Sequence, residues 1–325
     1  MRSRHTSPVF ASAATLAVAA MAAACIGSAT PVHAAMIASD NAANYTSFGT
    51  TPSPTNGGTG FGAWNIQLTN DNSPPYAGSF LGGSGAYWGL YANTGSSTAT
   101  PRVDAYRPFS GNLSANQAFS VELQSSSVGS DPAGGLPQFG FSLDNGAPSL
   151  SASSAAVTVG NGTQTSATTY TDANAVFAVS FNELGNNSSS GNLTSYNGQS
   201  GSSLSSGSYA LETNIMADGT TTSTITGITD AQLSSGITAN FALGAGNSYT
   251  LTLDSVGATP AVLATYTGTL NSSDVINGVD VFDQNTYKNG LFNNLAITAT
   301  PEPASIALLA VAAGGLLLTR RKKLL

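Results

Sequence analysis

Phe119, Val121 and Leu123 alternate with Ser120, Glu122 and Gln124, which is the two-residue period of a strand with one buried face. The same alternation recurs at Phe139, Phe141 and Leu143, at Phe177, Val179 and Phe181, and at Tyr249, Leu251 and Leu253. Less regular apolar runs predict further strands at Trp64 to Leu68, Tyr87 to Tyr91, Val157 to Val159 and Tyr209 to Ile215. Val262 to Leu270, Val275 to Phe282 and Leu291 to Ile297 add three more. Apart from one turn of helix at Asp230 to Leu233, no stretch carries a helical period. About a dozen short strands without helices predict an all-β fold, an antiparallel β-sandwich occupying 36–299. Asp144-Asn145-Gly146, Asn161-Gly162, Asn197-Gly198, Asp218-Gly219 and Asn277-Gly278 supply turn chemistry between the runs. The Ser, Gly and Asn stretch from Asn186 to Gly207 reads as a loop inside one domain.

The two ends break this pattern. Arg2 and Arg4 precede an apolar segment from Val9 to Ile26, and Val32-His33-Ala34 places small residues where a signal peptidase reads. Residues 1–34 are therefore expected to form a helical signal peptide cleaved after Ala34, with Ala35 the alternative. Cys25 follows Ala22-Ala23-Ala24, which lacks the Leu usual before a lipidated cysteine. At the other end, Pro301-Glu302-Pro303 is followed by an uncharged run and then Arg320, Arg321, Lys322 and Lys323. The run predicts a single transmembrane helix over 304–319, near the lower limit of the roughly 17–25 residues that span a bilayer. Four cations behind it should stay cytoplasmic and leave the preceding domain outside.

Residues 300–325, with Pro301-Glu302-Pro303-Ala304, the apolar run and Arg320-Arg321-Lys322-Lys323, closely resemble the PEP-CTERM sorting signal of Gram-negative bacteria. The resemblance implies recognition and processing by an exosortase, an intermediate held in the inner membrane, and delivery to the envelope, cell surface or extracellular matrix alongside exopolysaccharide. A second resemblance, to bacterial surface domains with a concanavalin-like jelly roll, rests on pieces in order along the domain. They are Gly57 to Trp64, Tyr87 to Asn93, Tyr106-Arg107-Pro108-Phe109, Phe119 to Leu123, Phe139 to Leu143, and Asp280 through Asn293-Asn294-Leu295. It implies a fold and no particular activity.

Composition narrows the chemistry. Cys25, His5 and His33 all lie in the signal peptide, so the mature chain has no cysteine and no histidine. Disulfides, Cys/His zinc sites and triads built on His are thereby excluded. Between Met36 and Thr300 the cations Arg102, Arg107 and Lys288 face fifteen carboxylates, a net charge of −12 that repels nucleic acid.

Three sets of residues carry candidate chemistry. Trp64, Tyr87, Trp88 and Tyr91 could stack on sugar rings, although such residues also fill sandwich cores. Asp280, Asp283 and Asn285 form the best candidate calcium group, ahead of Asn70-Asp71-Asn72 and Asp144-Asn145; otherwise no cofactor is expected. Glu122, Glu183 and Glu212 are the carboxylates available for glycoside hydrolysis, but no two share a strand at the four-residue spacing usual in concanavalin-like hydrolases. The expectation is an exported, non-enzymatic envelope or exopolysaccharide-matrix protein whose partners are signal peptidase, exosortase and exopolysaccharide. The alternative is a lectin-like carbohydrate-binding module using surface aromatics, and a glycoside hydrolase ranks third.

Overall fold

The structure is a computed structural model that describes residues 34–49, 56–69, 77–83, 85–92, 101–125, 138–159, 162–183, 211–217, 220–225, 228–284 and 289–299. The expected signal peptide, the 304–319 helix with its Pro-Glu-Pro and basic flanks, and the Asn186 to Gly207 loop lie outside these residues. No helix among the described residues is long and apolar enough to cross a membrane.

Ala35–Thr300 forms one compact unit, an antiparallel two-sheet sandwich. In chain order its strands are β1 (Ala35–Asp40), β2 (Asn65–Thr69), β3 (Ala77–Gly82), β4 (Tyr87–Ala92), β5 (Arg102–Pro108) and β6 (Gln117–Ser125). Next come β7 (Gln138–Asp144), β8 (Leu150–Val159), β9 (Gly162–Asp172), β10 (Ala175–Glu183), β11 (Leu211–Ala217) and β12 (Thr220–Ile225). The last are β13 (Ile237–Leu243), β14 (Ser248–Ser255), β15 (Val262–Thr269), β16 (Gly278–Gln284) and β17 (Gly290–Ala299). One sheet runs β15-β14-β13-β6-β17-β4-β3, with β1 also paired to β17. The other runs β12-β11-β10-β7-β16-β5-β2, and β8 with β9 forms a separate hairpin.

The alternating residues named above supply the interior. Phe119, Val121, Leu123, Phe241, Leu251 and Leu253 face inward from the first sheet, and Phe139, Phe141, Leu143, Phe177, Val179 and Phe181 from the second. Phe177 meets Phe241 with ring centroids 4.6 Å apart, and Phe119 meets Phe141 at 6.0 Å. Each such ring is worth about 1.5–3 kcal/mol in area removed from water.

The helical turn is α1 (Asp230–Ser235). Thr229 accepts from the backbone of Gln232 while Gln232 reaches back to Thr229, a reciprocal cap, and Gly236 ends the helix at φ 102°. Gly146, at φ 101°, closes the expected Asp144-Asn145-Gly146 turn after β7. Asn277-Gly278 is not a turn, because Gly278 opens β16 and Asn277 bridges two loops: its N–H donates to Asp144 and its carbonyl accepts from Phe109.

β17 shares one edge between two strands. Gly290 to Phe292 pairs with β4, whereas Leu295 to Ala299 pairs with β1. Asn294, at φ 51°, sits in the irregularity between Asn293 and Ala296. Ala35 and Ala299 are register partners, so the chain enters and leaves the sandwich side by side.

Candidate functional site

The most unusual chemistry lies on one face of the seven-stranded sheet. On β5, Val103 and Ala105 enter the core, which sends Arg102, Asp104 and Tyr106 to the opposite face. Register then places Asp280 beside Tyr106 and Ser142, and Phe282 beside Asp104. Asp104, Asp144 and Asp280 are all 0% exposed. Arg102 donates from Nε at 2.7 Å and approaches from its terminal nitrogen at 2.6 Å, both to the same Asp104 oxygen. It also lies 3.8 Å from Asp280 and 4.4 Å from the Phe282 ring centroid.

One guanidinium cannot neutralise this many carboxylates. Burial, then the negative charge of Asp104 and Asp144, holds Asp280 protonated well above the usual carboxylate range, with Arg102 opposing. Asp144 is raised by burial and then by Asp172, with Ser142 acting the other way. As ions, both Asp280 oxygens and Asp104 Oδ2 have no donor. A proton on Asp280 relieves part of that deficit, because its O–H can then donate to Asp104. Tyr106 is raised too, by burial and then by Asp144 and Asp280, so its phenol stays neutral beside the acids.

The candidate calcium group does not assemble. Asp280 and Asp283 are three residues apart on an unbroken register and project to opposite faces. Asp283 instead accepts from the Gly290 N–H at 3.0 Å. Asn285 and Asn70-Asp71-Asn72 lie outside the described residues, and among the described residues no group of three or more acidic ligands is arranged to hold a metal.

The aromatic set divides. Trp64 and Trp88, 4% and 0% exposed, are core residues with centroids 5.3 Å apart, so both fill the sandwich core and the alternative of surface rings stacking on sugars does not hold for them. Phe48 and Phe292 complete their cluster, and Trp64 Nε1 donates to the Tyr45 hydroxyl at 3.1 Å. Burying both indoles yields more than exposing them could, since aromatics carry the largest apolar area. Tyr87 and Tyr91 are half-buried and lie across Gly82 and Gly78 of β3, where any side chain would collide with the rings. The glutamates do not form one site either: Glu122 belongs to the eight-stranded sheet and accepts from Asn294 at 2.7 Å, whereas Glu183 and Glu212 belong to the other.

A second buried network pins the N-terminal strand. The Asp40 carboxylate is ion-paired with the Arg107 guanidinium and accepts from Tyr45 at 2.6 Å, Asn44 at 2.7 Å and the Asn41 N–H at 2.9 Å. Arg107 also donates to the carbonyls of Gly57 and Gly62 and to Asn56, between the rings of Phe61 and Trp64. Burial and then Asp40 push the Tyr45 hydroxyl up to about 12. Every Arg107 nitrogen is engaged, which marks a structural clasp and leaves nothing to hold a ligand.

The outward face of the eight-stranded sheet is different in kind. Tyr249, Leu251 and Leu253 point inward, so Ser248, Thr250 and Thr252 point out. Their register partners on β15 are Thr269, Thr267 and Thr265, all exposed, and Asn240 of β13 flanks Thr252. The ladder ends in a shallow depression of about 490 Å³ whose polar lining is Asn116, Ser248, Thr250, Thr267 and Thr269 and whose apolar lining includes Leu243 and Tyr249. Sequence reasoning missed this surface; the threonines alternate visibly within each strand, but only the β14–β15 register joins them.

No protein-family model matches this sequence, and no curated protein matches it. Solved structures with a similar outline include a lectin from Bauhinia forficata in complex with GalNAc, 10% identical, covering 81% of this chain and 99% of the lectin at a TM-score of 0.38. The Ca2+/Man3GlcNAc-bound exoplasmic/lumenal domain of VIP36 is 10% identical and covers 75% and 87% at 0.38. A protein described with endo-acting O-glycanases of the human gut microbiota is 7% identical and covers 82% and 100% at 0.40.

Proposed function

We propose that this chain is an exported, non-catalytic β-sandwich of concanavalin-like type, sorted by its C-terminal segment into the cell envelope or exopolysaccharide matrix, where it binds polysaccharide. The observation that carries the binding role is the array of hydroxyls and an amide on β13, β14 and β15, half-buried at Thr250 and Thr252, exposed at Asn240, Ser248, Thr265, Thr267 and Thr269, and bounded by Asp254 beyond Thr252. Such a face offers donors and acceptors at fixed pitch to a polymer rich in hydroxyls. Export is read from the Arg2 and Arg4 n-region, the apolar Val9 to Ile26 segment and the tail from Pro301-Glu302-Pro303 to Lys323. Asp104, Asp144 and Asp280 do not favour hydrolysis, because all three are fully buried where no substrate reaches them.

Two experiments test this. An immobilised glycan panel should capture the exported protein, and failure to bind any glycan would remove the binding role. Mass spectrometry of surface material should find a C-terminus near Pro301-Glu302-Pro303, and an intact Arg320-to-Leu325 end there would contradict sorting. Glu302→Gln removes one charge and barely alters hydrophobicity, so it should slow processing; unchanged processing would make the acidic residue incidental.

A further inference from the structure

We infer that the polysaccharide is neutral and docks along the β14–β15 threonine ladder; this rests on the binding role proposed above and specifies its surface and ligand class. Of the mature domain's three cations, Arg102 and Arg107 are buried and committed to aspartates, and Lys288 lies outside the described residues. Neither arginine can meet a uronate, sulfate or phosphate, and the mature domain's net −12 repels anionic polymers at a distance.

The ladder supplies what a neutral glycan needs. Three cross-strand ranks, Ser248 with Thr269, Thr250 with Thr267 and Thr252 with Thr265, present paired hydroxyls. Ranks on one strand repeat at about 6.8 Å and neighbouring strands at about 4.8 Å, giving a regular grid of groups that each donate and accept. The methyl groups between them offer apolar contact to the axial C–H faces of sugars. The depression at the Ser248–Thr269 end gives an extended chain a recess beside Asn116.

The test uses the exported protein and three polymers: a neutral β-glucan, a polyuronate and a partly deacetylated amino-glycan. Thr250→Val, Thr252→Val and Thr267→Val are combined, because valine keeps the shape and the strand preference and deletes only the hydroxyls. Wild type should bind the neutral glucan and not the polyuronate, and the triple variant should lose about tenfold or more in affinity with an unchanged melting temperature. Full affinity in the triple variant would move the site elsewhere and leave the binding role intact. Preference for the polyuronate, or salt-sensitive binding of the amino-glycan alone, would overturn the neutral ligand class. Binding to none of the three would remove the broader reading as well.

Discussion

Arg107→Met should destabilise the mature domain by about 3–5 kcal/mol, because it leaves the Asp40 carboxylate buried without its cation. Tyr45 and Asn44 would still donate to Asp40, but no positive charge would remain beside it. The loss should be largest where β1 meets β17, since Asp40 ends β1 and the following turn is held to Asn293 by the Ala42 N–H. Adding Asp40→Asn to Arg107→Met should recover part of the loss, since a neutral amide is less costly to bury than an unpaired charge. Urea denaturation of the two single variants and the double variant measures this. A cost below about 1 kcal/mol for Arg107→Met would mean that the pair is not a clasp.

Acidification from pH 7.5 to pH 5 should raise the melting temperature, the reverse of ordinary acid denaturation. Asp144 and Asp280 are held protonated well above their usual range, so the folded chain binds protons more tightly than the unfolded one. Stability then falls as pH rises from the unfolded value of about 3.9 through the folded one, by roughly 1.4 kcal/mol for every tenfold difference in proton affinity. The relief of general repulsion among fifteen carboxylates acts in the same direction. Asp280→Asn separates the two effects. Its amide keeps a donor towards Asp104 and cannot ionise, so the variant should hold its acid-pH stability and lose the share of the decline that Asp280 carries, leaving that of Asp144. An unchanged pH profile in Asp280→Asn would place the titration elsewhere.

Some of this fold was legible because only one face of each strand is strongly apolar. Phe119 to Leu123 and Tyr249 to Leu253 alternate because one face of each strand enters the core, and Phe139 to Leu143 and Phe177 to Phe181 alternate although both faces are buried, because the second face carries small or polar residues such as Gly140, Ser142, Ala178 and Ser180. β5 was not predicted: Arg102, Asp104 and Arg107 are buried with their partners, and charge inside a strand reads as surface. β13 was missed because Ala239 and Ala242 dilute its contrast. The candidate site suffered from a different limit. Proximity along a strand does not give proximity of side chains, which is why Asp280 and Asp283 read as one group and lie on opposite faces. Composition likewise cannot say whether an indole faces the core, and the core claimed Trp64 and Trp88. The grouping of Asp104 and Asp280 around Arg102, the Asp40–Arg107 clasp and the threonine ladder all depend on register between strands, which no single stretch of sequence carries.

Co-sedimentation of the protein with a neutral polysaccharide, across a salt series from about 0.05 to 1 M, tests the proposed binding role most directly. Hydroxyl-mediated binding to a neutral polymer predicts that the protein pellets with the polysaccharide and that salt leaves the bound fraction unchanged. A protein that stays in the supernatant, or that is released as salt screens charge, would contradict it.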